Sequence, residues 1–448
     1  MSSVADLMPD DGWIRRYVDL YEPLSEATAE AHMATALAVL SAAIGWRAFI
    51  RWGESSEPCT LYVILEGESA IARKTTTMRT GSTLVRKAME GVPNMVGARP
   101  PLSTRGLSHT SRRGLLEMVS PPDEEAAKAW DDVPPPGLLV EFDEIGALLG
   151  RPGDVKGQDW LGATRLALME FTSGRHGGLQ TGGDKMRPGR CSVSLLGTIT
   201  RQELEQRVSH GLLRDGFLGR FVLIPHPGRR RYLAEPPEWT SLDSIRRDEL
   251  ATFLRRVATS KQEIGSVFRR MTNDARQLRS TWYDERMRYL DARAAEGSDV
   301  DIALSDAMGR LQTTAVKIAA VMAVSRMDPA EDLGEVRIDV QDVEKGIAFA
   351  EHALSEIADL AGCGGGMPAD RYAEQVVAYL ARRNGHGPVT RARLMDAVRM
   401  DGMDATQRWR VCERLHEEGR IEIEIEPTAT RPRMVVSMPR GEEVPADA

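Results

Sequence analysis

The sequence contains few of the residues that mark a metal cage or a disulfide framework. Only four cysteines occur among 448 residues, and Cys59, Cys191, Cys363 and Cys412 are too far apart to form the close pairs of a zinc site or a redox couple. No histidine lies at ligand spacing from another histidine. A reducing cytoplasm fits this pattern, so we expect a cytoplasmic protein whose fold needs no disulfides.

Long apolar runs and an overall basic charge are also missing. The longest apolar run, residues 33–45, is alanine-rich and too short to cross a bilayer, so it predicts a buried helix and no membrane contact. A secretion signal is not indicated either, because the N-terminal segment MSSVADLMPDDGWIRR is acidic. The net charge of −8 argues against a nonspecific DNA-packaging protein, so any contact with nucleic acid must be local.

The first half of the chain has the pattern of an α/β fold. Apolar residues recur at helical spacing in an N-terminal helical segment, residues 1–50. Residues 51–232 then alternate helical stretches with short apolar runs, which predict strands at 60–65, 138–142, 193–197 and 221–224. Strands separated by helices favour a largely parallel sheet, whose ligand lies beyond the carboxyl ends of the strands.

The second half is predicted to be helical and to end in a small separate domain. Residues 233–361 have the pattern of a helical lid, and residues 362–368 (GCGGGMP) form the clearest linker. Residues 369–440 predict three helices and two strands, which describe a winged helix, and 441–448 form an acidic tail. The third of these helices carries Arg408 and Arg410, which we expect to face DNA.

The segment GESAIARKTT, residues 67–76, is the candidate phosphate loop. A loop between a strand and a helix directs backbone N–H groups at phosphates, a lysine neutralises phosphate oxygens, and the next hydroxyl can hold Mg²⁺. The match to G-x-x-x-x-G-K-[ST] is imperfect, because Arg73 replaces the second glycine and Gly67 lies one residue too far upstream. An ordinary strand-to-helix turn with a surface lysine is the alternative. The predicted nucleotide contacts are Gly67, Ser69, Arg73, Lys74, Thr75 and Thr76.

The segment LLVEFDEIGALL supplies a second element of a nucleotide site. Its apolar strand ends in Asp143, which together with Thr75 would hold Mg²⁺, and in Glu144, which would polarise the attacking water. A strand capped by solvated acids is the alternative. Because both elements follow predicted strands in the expected order, we favour ATP and Mg²⁺ as cofactors.

The order LYVILEGESAIARKTT, LLVEFDEIGALL, SVSLLGTIT and GFLGRFVLI resembles the ATPase domain of phage-, plasmid- and island-encoded primase-helicase replication proteins, the YfjI-like group. It is more distantly similar to minichromosome-maintenance helicases of the AAA+ class. The resemblance covers about residues 10 to 360. It implies an α/β P-loop NTPase core (AAA+/RecA-like) with N-terminal helices, a helical lid and a C-terminal winged helix.

The resemblance also implies roles for individual residues. Thr198 would be a polar sensor of the γ-phosphate or the water, and Arg220 an arginine finger that reaches a neighbouring subunit, with a surface arginine at a strand start as the alternative. Arg310 or Lys317 would be the sensor of the lid. Glycine-rich residues 172–191 would form a pore hairpin, or else a solvated loop, and the candidate DNA contacts there are Arg175, Lys185, Arg187 and Arg190.

These features lead to one main hypothesis and two alternatives. The main hypothesis is a ring-forming, hexameric ATP-dependent DNA motor, a replicative helicase or initiator of a phage or mobile element, that acts on single- or double-stranded DNA beside a primase or other replication proteins. The first alternative is a regulatory ATPase switch in defence or transposition, which would hydrolyse ATP without unwinding DNA. The second is a DNA-binding transcription factor with an inactive phosphate loop.

Overall fold

The computed structural model describes most of the chain, and its described part divides into two compact units. The first unit comprises Met1–Gly150 and Gly157–Asp359, and the second comprises Arg151–Lys156 and Leu360–Ala448. The predicted N-terminal segment falls in the first unit, as do the predicted core apart from residues 151–156 and the predicted lid up to residue 359. The described residues are 7–67, 73–94, 99–107, 111–121, 126, 128, 130, 133–149, 158–181, 184–186, 188–208, 216–225, 232–233, 235, 237–295, 299–328, 330–364, 368–383, 387–398, 405–417, 419–426 and 433–438.

The first unit contains both strands and helices. Its strands are β1 (Ala48–Trp52), β2 (Ser55–Pro58), β3 (Tyr62–Glu66), β4 (Leu102–Leu107), β5 (Gly137–Phe142), β6 (Arg175–His176), β7 (Leu179–Thr181), β8 (Asp184–Met186), β9 (Gly189–Arg190), β10 (Ser192–Ile199), β11 (Phe221–Pro225) and β12 (Gly265–Ser266). Its helices are α1 (Gly12–Tyr21), α2 (Ala29–Ile44), α3 (Lys74–Met89), α4 (Arg112–Val119), α5 (Gly146–Leu149), α6 (Gln158–Thr172), α7 (Arg201–Arg207), α8 (Ser241–Thr259), α9 (Val267–Arg270), α10 (Asn273–Ala294), α11 (Asp299–Arg326) and α12 (Val340–Gly364), the last of which continues into the second unit.

A five-stranded, all-parallel sheet forms the centre of the first unit, in the order β11-β3-β10-β5-β4. The four predicted strands of the core are therefore confirmed, as is the α/β class with a parallel sheet. The edge strand β4 was not predicted, because its sequence LSTRGL is polar and half exposed rather than an apolar run. A separate three-stranded sheet has the order β12-β1-β2.

Helix α2 lies directly on one face of the sheet. Its alanine-rich sequence favours a helix, and nearly all of its residues are buried, as expected for a helix that is apolar on every side. At Gly137 a Cβ atom would lie 2.1 Å from the Ala42 carbonyl oxygen, so glycine permits this close approach. Leu61, Val63 and Leu65 share the core with α2 and with α11 of the predicted lid.

The opposite face of the sheet is covered by α6. Side chains alternate along a strand, so Tyr62 points away from α2. Its hydroxyl donates a hydrogen bond to the Leu168 carbonyl on α6 at 2.8 Å. Strands β3, β5, β10 and β11 are thus buried on both faces, as is usual in parallel sheets, and their exposed groups lie at their ends.

The second unit contains three helices and a small antiparallel sheet. The helices are α13 (Pro368–Arg382), α14 (Arg391–Ala397) and α15 (Ala405–Glu417), and the strands are β13 (Val389–Thr390), β14 (Glu422–Glu426) and β15 (Arg433–Ser437). The strand order is β13-β15-β14. An apolar core that includes Tyr372, Leu394 and Leu415 joins the helices to β15. Part of the predicted linker is helical, since α12 continues to Gly364.

Candidate functional site

The topology of the sheet places a ligand site between β3 and β10. The chain leaves β3 towards the β4 edge, but it leaves β10 towards β11 at the opposite edge. When the chain leaves two neighbouring strands in opposite directions, a crevice opens at the carboxyl ends of those strands. Ligands of open α/β sheets bind in this crevice. The phosphate-loop segment follows β3, and Thr198 lies near the end of β10. The predicted site therefore lies at the position where the topology favours a ligand.

The phosphate-loop segment leads into the amino terminus of α3. The Gly67 N–H donates to the Ile199 carbonyl at 2.9 Å, which holds the start of the loop against β10. Residues 68–72, including Ser69, lie outside the described part of the chain. Arg73 precedes the helix with a φ of 45°, and its Nε donates to Glu26 at 2.6 Å. The position of the second glycine of the motif thus has the left-handed backbone that glycine adopts most readily.

Lys74 begins α3 and points into a strongly acidic environment. Its side chain is 6% exposed, and burial lowers the pKa of its ammonium group. The carboxylates of Asp143, Glu144, Glu203 and Glu66 oppose that shift in pKa. Within the described part of the chain the ammonium group forms no hydrogen bond or ion pair, so it is available to an anionic ligand.

Two threonines and Asp143 form a hydrogen-bonded cluster beside Lys74. The Thr75 hydroxyl donates to the Asp143 carboxylate at 3.2 and 3.3 Å. The buried Thr198 hydroxyl donates to the same carboxylate at 3.3 Å and accepts from the Glu144 N–H at 3.3 Å. The Ile145 N–H donates to the Thr198 carbonyl at 2.9 Å. Thr198 thus contacts the carboxylate of Asp143 and the backbone of Glu144.

The donor set at this edge fits a magnesium ion that a nucleotide helps to bind. Mg²⁺ prefers oxygen ligands and is usually held by one or two carboxylates together with substrate phosphates and water. Asp143 and Thr75 supply a carboxylate and a hydroxyl in contact with each other, and both residues are exposed. Groups of three or more His, Cys, Asp or Glu able to hold a metal are absent from the described residues, so phosphate and water would have to complete the coordination.

Glu144 is held in an unusual backbone conformation next to this cluster. Its φ is 79°, and apart from Arg73 no other non-glycine residue in the described part of the chain has a positive φ. Positive φ costs an L-residue about 1 kcal/mol, and such strain occurs frequently at functional sites. Glu144 is exposed, whereas Glu141 on the same strand is buried and accepts a hydrogen bond from Ser82 at 2.5 Å. Glu144, not Glu141, is the acid presented to a ligand.

Arg220 lies at the opposite end of the sheet from Lys74. It immediately precedes β11, whose first residue pairs with Tyr62 at the start of β3. A five-residue strand spans about 13 Å, so Arg220 cannot reach the phosphate loop of its own chain. Its guanidinium donates to Thr172 Oγ1 at 3.3 Å and to the Gly216 carbonyl. It lines a cavity of about 400 Å³ that opens at this end of the strands.

The same cavity contains the two basic residues expected in a sensor of the lid. Arg310 and Lys317 line it together with Arg220. Burial lowers the pKa of Lys317, whose Nζ donates to the Thr172 carbonyl at 3.0 Å and lies 3.6 Å from Glu57. Helix α11 thus places Arg310 and Lys317 at the amino ends of the strands, away from Lys74 of the same chain.

The glycine-rich segment before β10 forms a β-hairpin. At its base β6 pairs with β9, with Arg175 opposite Arg190, and farther along β7 pairs with β8, with Lys185 opposite Gln180. Arg175 is exposed, but the Arg190 guanidinium lies over the Trp46 ring at 4.4 Å. Arg190 therefore anchors the base of the hairpin. Arg187 lies outside the described residues.

The two arginines proposed for DNA contact in the second unit differ in exposure. Arg410 on α15 is exposed. Arg408 is half-buried and donates to the Met395 carbonyl at 3.0 Å, next to the end of α14. Its guanidinium is thus used within the fold of the second unit, and Arg410 is the side chain that α15 presents outward.

A charged residue that the motifs did not indicate also lies at the carboxyl edge. Arg201, the first residue of α7, forms ion pairs with Glu66 at 3.2 Å and with Glu356 at 2.6 Å. In the sequence, only its position three residues after Thr198 indicates that Arg201 lies near the candidate site. The pairing with Glu356 joins residues 155 positions apart, so no local pattern predicts it.

No known protein-family model and no curated protein matches this chain. Function is therefore inferred from the residues themselves, above all from the cluster of Lys74, Thr75, Asp143, Glu144 and Thr198. No helix in the described residues is long and apolar enough to cross a membrane.

The strain at Glu144 can be tested by its effect on stability. Glu144→Gly should have a free energy of unfolding about 1 kcal/mol higher than that of Glu144→Ala in denaturant unfolding, because only glycine relieves the positive φ. The same pair of substitutions at Glu285, an exposed position inside α10, should give the opposite order, because glycine destabilises a helix interior. Equal stabilities for the two Glu144 variants would show that the strain is absent.

Proposed function

We propose that this protein is a Mg²⁺-dependent ATPase that acts as a ring-forming DNA motor, of the kind found in the replication proteins of phages and mobile elements. The observation that carries the proposal is the convergence of Lys74, Thr75, Asp143, Glu144 and Thr198 at the carboxyl edge of the parallel sheet. These residues come from three different strand ends. A phosphate loop and an acidic strand end need this arrangement to act on one nucleotide.

Each residue of the cluster has a chemical role in this proposal. The amino terminus of α3 and the Lys74 ammonium bind the phosphates. Thr75 and Asp143 would hold Mg²⁺, which would neutralise negative charge on the phosphates when bound. Glu144 polarises the attacking water, and the Thr198 hydroxyl holds the Asp143 carboxylate and the Glu144 backbone in place. The same hydroxyl is the candidate sensor of the γ-phosphate.

The position of Arg220 supports hydrolysis between subunits. An arginine finger stabilises charge in the transition state only if it reaches a bound nucleotide. Arg220 lies at the amino ends of the strands, a strand length away from its own phosphate loop. Contact with a nucleotide would require head-to-tail packing of one subunit on the next, and a closed ring, for which we propose a hexamer, repeats that contact. Arg310, in the same cavity, would face the same neighbour.

Two local features support binding of DNA. The first is the β-hairpin from Arg175 to Arg190, where exposed Arg175 and the neighbouring Lys185 and Arg187 would contact phosphates. The second is α15 of the proposed winged helix, which presents Arg410. Strand β14 carries Glu422, Glu424 and Glu426, so phosphate contact by the second unit would come from the helix and not from this strand.

The role of Glu144 is tested by separating nucleotide binding from turnover. Glu144→Gln should bind ATP within about threefold of the wild-type affinity but lose at least about a hundredfold in kcat, because it removes only the water-polarising carboxylate. Lys74→Ala should lose binding itself. Glu203→Gln is the matched control, because Glu203 lies near Lys74 but pairs with Arg207 at 2.7 Å. Retained turnover in Glu144→Gln would contradict the assignment.

Action of Arg220 in trans is tested by mixing two inactive proteins. Arg220→Ala and Lys74→Ala subunits should each be inactive alone, whereas an equal mixture should recover up to about a quarter of wild-type ATPase activity. Half of the subunits then supply an intact phosphate loop, and half of their neighbours supply the arginine, so about one interface in four is complete. An ATPase assay across several mixing ratios measures the recovery. Absence of any recovery would exclude a finger in trans.

A further inference from the structure

A cluster of four charged side chains is centred on Arg201 and includes Glu66, the residue that precedes the phosphate-loop segment, and it has no part in the reaction described above. Arg201 on α7 contacts Glu66 at 3.2 Å, Glu205 at 2.7 Å and Glu356 at 2.6 Å. Glu66 is the last residue of β3, and Gly67 begins the phosphate-loop segment. The cluster thus connects the strand that enters the loop to α7 and α12.

Glu66 would be a liability for an ATP site if its charge were left uncompensated. Its side chain is 9% exposed, and burial raises the pKa of its carboxyl group, which Arg201 opposes. Glu66 is one of the carboxylates whose negative charge raises the pKa of Lys74. Its charge would therefore also act on phosphates bound to that lysine. An unpaired carboxylate with little solvent screening would repel a polyphosphate bound to Lys74.

The other arginines described at this edge are paired with different acids. Arg73 pairs with Glu26, and Arg207 pairs with Glu203. Within the described residues Arg201 is the cation in contact with Glu66. Arginine suits this position because its planar group can bond several carboxylates at once and keeps its charge at all ordinary pH values.

We propose that Arg201 is a positioning residue for nucleotide binding. It neutralises Glu66, the residue before the phosphate-loop segment, so that a polyphosphate can bind to that segment. This role rests on the proposed ATPase function. It assigns Arg201 to binding of the nucleotide and not to the chemical step, since the guanidinium is held by carboxylates and not by the Asp143–Thr198 cluster. Loss of the arginine should therefore raise KM and leave kcat nearly unchanged.

A double-mutant cycle that removes the charges of Arg201 and Glu66 tests this role. Arg201→Met should raise the KM for ATP about tenfold or more and change kcat by less than about threefold. Adding Glu66→Gln to Arg201→Met should restore KM to within about threefold of wild type, because the charge that needed compensation is gone. Arg201→Lys should retain most of the affinity. Glu205→Gln, which removes the more exposed partner, is the control and should change KM by less than about twofold.

The outcomes separate this inference from the proposed function. A folded wild-type protein without ATPase activity would refute the function itself. An active wild type together with an unchanged KM in Arg201→Met would overturn the inference alone. So would a defect that Glu66→Gln fails to rescue, because that result would mean that Arg201 only joins α7 to α12. If Arg201→Met does not fold, Arg201→Lys and its double variant with Glu66→Gln provide the same comparison, with thermal unfolding as the check.

Discussion

The parallel pairing of β3 with β10 on one side and β11 on the other is the constraint on which the candidate site depends. In this register Ile199 pairs with Glu66, so the phosphate-loop segment and Thr198 emerge at the same edge. Pairing of β10 with β5 brings Asp143 and Glu144 to that edge as well. The same register carries Arg220 to the other end, beside Tyr62. One hydrogen-bonding pattern thus separates the residues that would act within a subunit from the residue that would act on a neighbour.

Burial of the sheet on both faces explains why the chemistry is concentrated at its ends. Helix α2 covers one face so closely that Gly137 has no room for a side chain, and α6 covers the other. At the carboxyl edge the charges are predominantly negative, with Lys74 facing four carboxylates. Such an edge becomes suitable for ATP only when cations balance it. Lys74, a magnesium ion on Asp143 and Thr75, and Arg201 on Glu66 would supply that balance.

The sequence predicts the sheet better than it predicts the contacts of charged side chains. Strands such as 138–142 and 193–197 are apolar runs because both of their faces are covered, whereas the half-exposed edge strand β4 has no such signal. The grouping of Asp143, Thr75 and Thr198 follows from motifs at strand ends. Contacts that depend on the path of a distant helix are not encoded locally, so the sequence indicated neither the position of Arg310 beside Arg220 nor the ion pairs of Arg201. Similarly, the stacking of Arg190 on Trp46 joins residues far apart in the chain.

The most direct measurement is phosphate release from ATP by the purified full-length protein, with Mg²⁺ and with the metal removed by a chelator. The account predicts turnover that requires Mg²⁺ and is lost in Asp143→Asn, because that carboxylate and the Thr75 hydroxyl, which contact each other, are the proposed protein ligands of the metal. A folded protein that neither binds nor hydrolyses ATP in the presence of Mg²⁺ would contradict it, as would turnover that is independent of both the metal and Asp143.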